Sequence, residues 1–149
     1  MASAYSPEQI AEFLSYIRMP ARYQQLEKTP RDLKFLTVLH THMLSNVPYE
    51  NLSLHYSPTH KIDLDPQVLF NKVVGGARGR GGYCMENNIL IHHILRGLGF
   101  DVYIAGVRLR PRVNGVPSGE YLGWYVARFQ PCAIRLICNQ GTRSQHCDV

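Results

Sequence analysis

Apolar residues recur at helical spacing as far as Gly99 and at a spacing of two beyond it, and this change of period restricts the fold more than any other feature. Ile10, Phe13, Leu14 and Ile17 stand at i, i+3, i+4 and i+7 behind Ser6-Pro7-Glu8-Gln9. In that start signal Ser6 can cap, Pro7 suits the first helical position and Gln9 has capping-box spacing. Thr29-Pro30-Arg31-Asp32 repeats the signal, and Leu33, Leu36, His40, Met43 and Val47 keep the period, so a second helix is expected from Pro30 to Asn46. A third is expected from Asp65-Pro66 through Val74, closed by Gly75-Gly76. A fourth should run from Cys84 to Gly97 or Gly99, with Asn88, Ile91 and Leu95 on the face of Cys84. Beyond Gly99, Val102 with Ile104 and Val107 with Leu109 alternate in two phases around Gly106, a bulge candidate, and Asn114-Gly115 offers a hairpin turn. Helices first and strands afterwards make an α+β chain with a helical N-terminal unit.

The length of 149 residues suits one domain, and 45% hydrophobic with 18% charged residues is a globular composition. MASAYSPEQ has neither a basic n-region nor an apolar h-region, and no apolar run approaches the roughly 18 residues of a membrane span. A cytoplasmic protein without membrane partners is the expectation. The net charge of +5 comes mainly from scattered arginines, which would attract anions in general, coenzyme A phosphates as readily as nucleic acid. Cys84 and the tail cysteines Cys132, Cys138 and Cys147 read as free thiols.

One stretch, GGARGRGGYCMENN from Gly75 to Asn88, admits several chemistries. A phosphate-cradling P-loop would need Lys-Ser or Lys-Thr after the glycines and a strand before them, and this stretch has neither. RNA-binding Arg-Gly-Gly tracts are repeated and disordered, whereas this copy is single and joined to an apolar helix, so no nucleic-acid partner is expected. A plain inter-helix linker with Cys84 as a small buried hydrophobe stays open. The nucleophile reading explains more residues. A thiol in the first turn of a helix feels the positive end of the macrodipole, and Arg80 would add a cation favouring the thiolate. Gly79, Gly81 and Gly82 would let a substrate carbonyl approach the backbone. Such a cysteine needs a histidine base oriented by a carboxylate.

Arg80-Gly81-Gly82-Tyr83-Cys84 with Met85-Glu86-Asn87-Asn88 resembles the active-site motif of the arylamine N-acetyltransferase family in its fungal form, and Val47-Pro48-Tyr49-Glu50-Asn51-Leu52 resembles a second signature of that family. Leu98-Gly99-Phe100-Asp101-Val102 is similar to the family's segment at the end of the catalytic helix, and the match runs from Ser6 to Trp124. The resemblance implies a helical bundle carrying the nucleophile over residues 1–99, the first strands of a β-barrel domain over 100–124, and a cysteine-protease-like core. It implies ping-pong transfer of acetyl from acetyl-CoA, through a thioester on Cys84, to an arylamine, arylhydrazine or N-hydroxyarylamine, with no metal. By the same resemblance Arg80 and Glu50 are buried charge partners supporting the loop, Tyr83 borders the acyl pocket, and Leu122 and Gly123 belong to the donor-binding surface.

After Trp124 the pattern departs. The family's catalytic His should come within two residues of Glu120-Tyr121-Leu122-Gly123-Trp124, with its Asp one strand later, and Tyr125 and Val126 stand there instead. Residues 125–149 resemble nothing in the family, so the chain reads as C-terminally truncated or frame-altered after Trp124, without the third, lid domain. The alternative function is therefore a catalytically inactive fragment of that family. Other histidines are poor substitutes. His40 and His42 lie on the second helix, His55 and His60 in the loop after it, and His92 and His93 about 12–14 Å of helical rise from Cys84. His146, beside Cys147 and Asp148, is chemically suitable but lies in the unrelated tail, and Cys132, Cys138, His146 and Cys147 lack the usual zinc-ligand spacing.

Overall fold

The computed structural model describes residues 2–25, 30–76, 79–104, 112–113, 116–117, 136–138 and 145–147. Helix α1 spans Pro7–Tyr16 and starts as its sequence dictates: Ser6 Oγ accepts from Gln9 N–H, and the Gln9 side chain accepts from Ser6 N–H. Ile10, Phe13, Leu14 and Ile17 are buried together, as their spacing requires.

Helix α2 spans Leu33–Asn46 and starts later than Thr29-Pro30 suggests. The cap is Asp32, whose Oδ1 accepts from Phe35 N–H at 2.8 Å, so the preceding residues are not needed to satisfy the first turn. The buried stripe also differs. Phe35, Leu36, Leu39 and Met43 face the core, while Leu33 is 53% exposed and His40 points to solvent. The expected stripe holds at Leu36, Met43 and Val47, which are buried, and fails at Leu33 and His40, while Phe35 and Leu39 are buried beside it.

Leu52–Tyr56 forms α3, a short helix where a loop is expected, and it carries His55. Five residues contain too little periodicity to announce a helix. Helix α4, Pro66–Phe70, is capped by Asp65, whose Oδ1 accepts from Gln67 N–H and Val68 N–H, and it continues into a π-helical turn over Asn71–Gly75. Helix α5 spans Cys84–Gly97. Its last carbonyls are satisfied by Gly99 N–H to Arg96 and Phe100 N–H to Leu95, with Gly99 in the left-handed conformation that a side chain would resist.

One hydrophobic core joins α1, α2, α4, the π turn and α5. Leu90 and Ile94 of α5 are fully buried in it, as are Phe13, Leu14 and Ile17, with Ile91 and Leu95 beside them, while Asn88 is half-buried. Gly97 allows α1 to approach: a methyl there would lie 2.1 Å from Ile10 Cδ1. Tyr23 packs edge-on against Phe35 and Phe35 stacks on Phe100, with ring centroids 5.5 and 6.0 Å apart. Val102 completes this core, its carbonyl held by Arg96 Nη1 at 2.7 Å, whereas Ile104 is 56% exposed. The two therefore do not share a buried strand face as expected, because Ile104 has passed the edge of the helices.

Val107, Leu109 and Gly106 lie outside the described residues. The strands β1 (Arg112–Val113) and β2 (Val116–Pro117) pair antiparallel with Val113 opposite Val116, flanking the expected turn at Asn114-Gly115. In the tail, β3 (Leu136–Cys138) pairs antiparallel with β4 (Gln145–Cys147). No helix among the described residues is long and apolar enough to cross a membrane.

His92 and His93 tie the acid sensitivity of the helical unit to the N-terminal arm. Ser3 Oγ donates to the His93 carbonyl at 2.8 Å, and Ala4 N–H donates to His93 Nδ1 at 3.1 Å. Burial, then the neighbouring positive groups, hold both imidazoles below their ordinary value. The unfolded chain thus takes up protons first. This stabilisation is complete above the unfolded value near 6.5 and is lost as pH falls through the lowered folded values. Thermal melts should show a lower midpoint at about pH 5 than at about pH 8, and His93→Gln should reduce that difference. An unchanged difference in the variant would show that His93 carries none of it.

Candidate active site

The two motifs meet through backbone. Gly82 N–H donates to the Pro48 carbonyl at 3.2 Å and Glu50 N–H donates to the Gly82 carbonyl at 3.1 Å, a parallel bridge between Tyr49 and Gly82. Gly81 is glycine for want of space: a methyl there would lie 1.6 Å from the Pro48 oxygen. At Gly82 it would lie 2.9 Å from Glu86 Cβ and from Asn87 Oδ1. The close backbone approach anticipated for a substrate is, at Gly81 and Gly82, made by the chain's own residues, and both glycines are buried.

Below this ladder sits an alternating ion network. Arg80 Nη2 donates to Glu50 Oε1 at 3.0 Å, Lys72 Nζ lies 3.2 Å from the same oxygen, and Lys72 Nζ donates to Glu86 Oε1 at 2.8 Å. Glu86 Oε2 accepts from Tyr83 N–H at 2.8 Å, and Glu50 Oε2 accepts from Leu52 N–H. Burial works against the charged form of Glu50, but the Leu52 N–H, Lys72 and Arg80 outweigh it and hold the carboxyl below its ordinary value. The Arg80 guanidinium is engaged by Glu50, with Ser53 Oγ at 3.4 Å.

Lys72 and Glu86 are not among the residues that the sequence singles out. Glu86 carries a signal, three positions after the cap residue Tyr83, where a carboxylate can reach back to the cap N–H. Lys72 carries none, since it lies 14 residues from its partner and on the π turn.

Cys84 opens α5 as a free thiol, 7% exposed. Burial first, then the adjacent Cys84, push the Tyr49 phenol up to about 12. The half-buried Tyr83 ring stands 6.0 Å from the Tyr49 ring, so two aromatic side chains flank the sulfur's helix end.

An N-acetyltransferase family model matches residues 32–116, more than half of the chain. The chain belongs to the arylamine N-acetyltransferase family. It is 34% identical over 137 residues to the N-malonyltransferase FDB2 of Gibberella moniliformis and 36% identical over 135 residues to that of Fusarium pseudograminearum. Each of these alignments covers 80% of this chain and 39% of the relative. It is 43% identical over 75 residues to the liver isozyme of arylamine N-acetyltransferase from Gallus gallus, covering 50% of this chain and 25% of that one. The chain thus spans well under half the length of these curated N-acyltransferases.

In this acetyltransferase-family chain no histidine among the described residues makes a hydrogen bond or ring contact with Cys84. His42 Nδ1 lies 3.1 Å from the Ile17 carbonyl and His60 Nδ1 lies 3.0 Å from that of Leu54. The His55 ring packs on Tyr56, His92 packs on His93, and His40 faces solvent. His146 stands opposite Ile137 in the β3–β4 pair, and Cys147 opposite Leu136. Leu122, Gly123 and Cys132 lie outside the described residues. Among the described residues no three His, Cys, Asp or Glu side chains converge as metal ligands would.

Proposed function

We propose that Cys84 is the acyl-accepting nucleophile of a two-step transfer from an acyl-coenzyme A to an arylamine. The observation that carries this reading is the seating of the sulfur at the start of α5 by the Tyr49–Gly82 bridge and the Arg80–Glu50–Lys72–Glu86 network. In the first step the thiolate attacks the acyl carbonyl, the tetrahedral oxyanion collapses, and the coenzyme A thiolate leaves. In the second the amine nitrogen attacks the Cys84 thioester, and the sulfur leaves as thiolate while the nitrogen loses its proton to a base.

The chain's positive charge suits a phosphate-rich donor, and Leu122 with Gly123 would border it. The donor group is acetyl by family and malonyl by analogy with the two fungal relatives; arylamines, arylhydrazines and N-hydroxyarylamines are the acceptor classes. In this reading residues 1–99 form the nucleophile-bearing unit, and the segment containing β1 and β2 opens the β-barrel domain. Tyr83, beside Tyr49, would border the acyl group.

A second reading, an inactive member of the family, is favoured by one observation: no histidine among the described residues contacts Cys84. Purified chain mixed with acetyl- or malonyl-CoA decides between them. Release of free coenzyme A followed by acylation of an added arylamine supports transfer. Absence of both leaves the inactive reading.

A further inference from the structure

We propose that Asn87 is a positioning residue for Cys84: its side-chain amide locks the Gly82–Tyr83 peptide unit, and through that unit sets the direction in which the Cys84 sulfur leaves α5. The inference rests on the reading of Cys84 as the nucleophile and names what aims it. Asn87 Nδ2 donates to the Gly82 carbonyl at 2.8 Å, and the Asn87 backbone N–H donates to the Tyr83 carbonyl at 3.0 Å. One residue thus grips both peptide units that flank Tyr83, and the nitrogen of the second belongs to Cys84. Gly82 makes the grip possible, since a methyl there would lie 2.9 Å from Asn87 Oδ1.

The first of these units is held from two parts of the chain. Glu50 N–H, beside the Tyr49–Gly82 bridge, donates to the Gly82 carbonyl at 3.1 Å, and Asn87 donates to the same oxygen from α5. The N–H of that unit, on Tyr83, is taken by Glu86 Oε2 at 2.8 Å. With both planes held, the Tyr83 dihedrals, φ −72° and ψ 168°, have little freedom, and the Cα–Cβ bond of Cys84 points one way. Satisfying the carbonyl does not require Asn87, because Glu50 N–H already meets it. Nor does stability favour an amide at this place: among the described residues the buried Asn87 Oδ1 has no hydrogen-bond partner, and a buried acceptor left unmet costs free energy. An apolar side chain of the same size would avoid that cost. What the amide adds is a second donor with a fixed direction. Direction matters to a nucleophile, since a misplacement of about 1 Å can cost on the order of 100-fold in rate.

The test is Asn87→Leu in the full chain, with cysteine isotopically labelled at Cβ for NMR and the Cys84 signal identified by its loss in Cys84→Ser. Leucine keeps the size and removes the donor. The Cys84 Cβ resonance should move in the variant. Iodoacetamide at neutral pH, followed by peptide mass spectrometry, should alkylate Cys84 about three- to tenfold faster, because the loss of one hydrogen bond eases release of a sulfur that is otherwise buried. The urea unfolding midpoint should hold, since Glu50 N–H still meets the Gly82 carbonyl. An unmoved resonance or an unchanged alkylation rate would overturn the proposal. So would a faster rate that only follows a lowered urea midpoint, the mark of a structural role. Should Asn87→Leu fail to fold, Asn87→Ala removes the donor without adding volume and is read by the same outcomes. No acyl donor is used, so failure of acyl transfer and failure of this inference are separately visible.

Discussion

Gly81→Ala is expected to destabilise the chain by about 3 kcal/mol and to undock the loop that presents Cys84. The new methyl would lie 1.6 Å from the Pro48 oxygen, and that atom is backbone, so no rotamer change relieves the clash. Overpacking of this kind typically costs about 1–3 kcal/mol. The two hydrogen bonds of the bridge, worth about 0.5–1.5 kcal/mol each, are lost if the strands separate instead. Gly79→Ala is the matched control. Gly79 has φ +59 but no atom within 4 Å of the added methyl, so its cost is only the left-handed conformation, about 1–2 kcal/mol. Urea unfolding of both variants, with the rate of Cys84 alkylation, separates them. Equal losses would mean that the loop is not docked against Pro48.

Lys72→Met should be about as damaging, for an electrostatic reason. Glu86 is 3% exposed and has Lys72 as its ion-pair partner, so the substitution leaves a buried carboxylate with only the Tyr83 N–H. Breaking such a pair from one side typically costs about 3–5 kcal/mol, because the remaining charge stays desolvated. Glu50 fares better, retaining Arg80 and the Leu52 N–H. The double variant Lys72→Met with Glu86→Gln should recover more than half of the loss, since the amide oxygen can still accept from Tyr83 while the charge is gone. A double-mutant cycle by urea unfolding measures this. Strictly additive losses would show that the pair is not coupled.

The helical half of the fold is legible where local chemistry decides it. Ser6 and Asp65 sit before prolines and cap as written, and Gly99 ends α5 by a backbone geometry that glycine permits. Helix α2 misleads because Thr29-Pro30 and Asp32 both carry start signals, and only the folded chain shows that Asp32 captures the Phe35 N–H. The short α3 and the π turn over Asn71–Gly75 depend on tertiary packing, which no periodicity encodes.

The site divides in the same way. Cys84 stands out because a glycine-rich segment joins an apolar helix there, and the Arg80–Glu50 contact is implied by resemblance. Lys72 and Tyr49 become visible only when segments 14 and 33 residues apart are brought together, since nothing in either segment alone specifies the partner. The glycines are legible as a need for close approach, but not which chain would approach.

Intact-mass spectrometry after brief incubation with an acyl-CoA and no amine tests the role of Cys84 most directly. The expected result is one acyl group per chain, mapped to the Cys84 peptide, absent in Cys84→Ser and discharged when an arylamine is added. An acyl group on any other residue, or an equal adduct in Cys84→Ser, would contradict it.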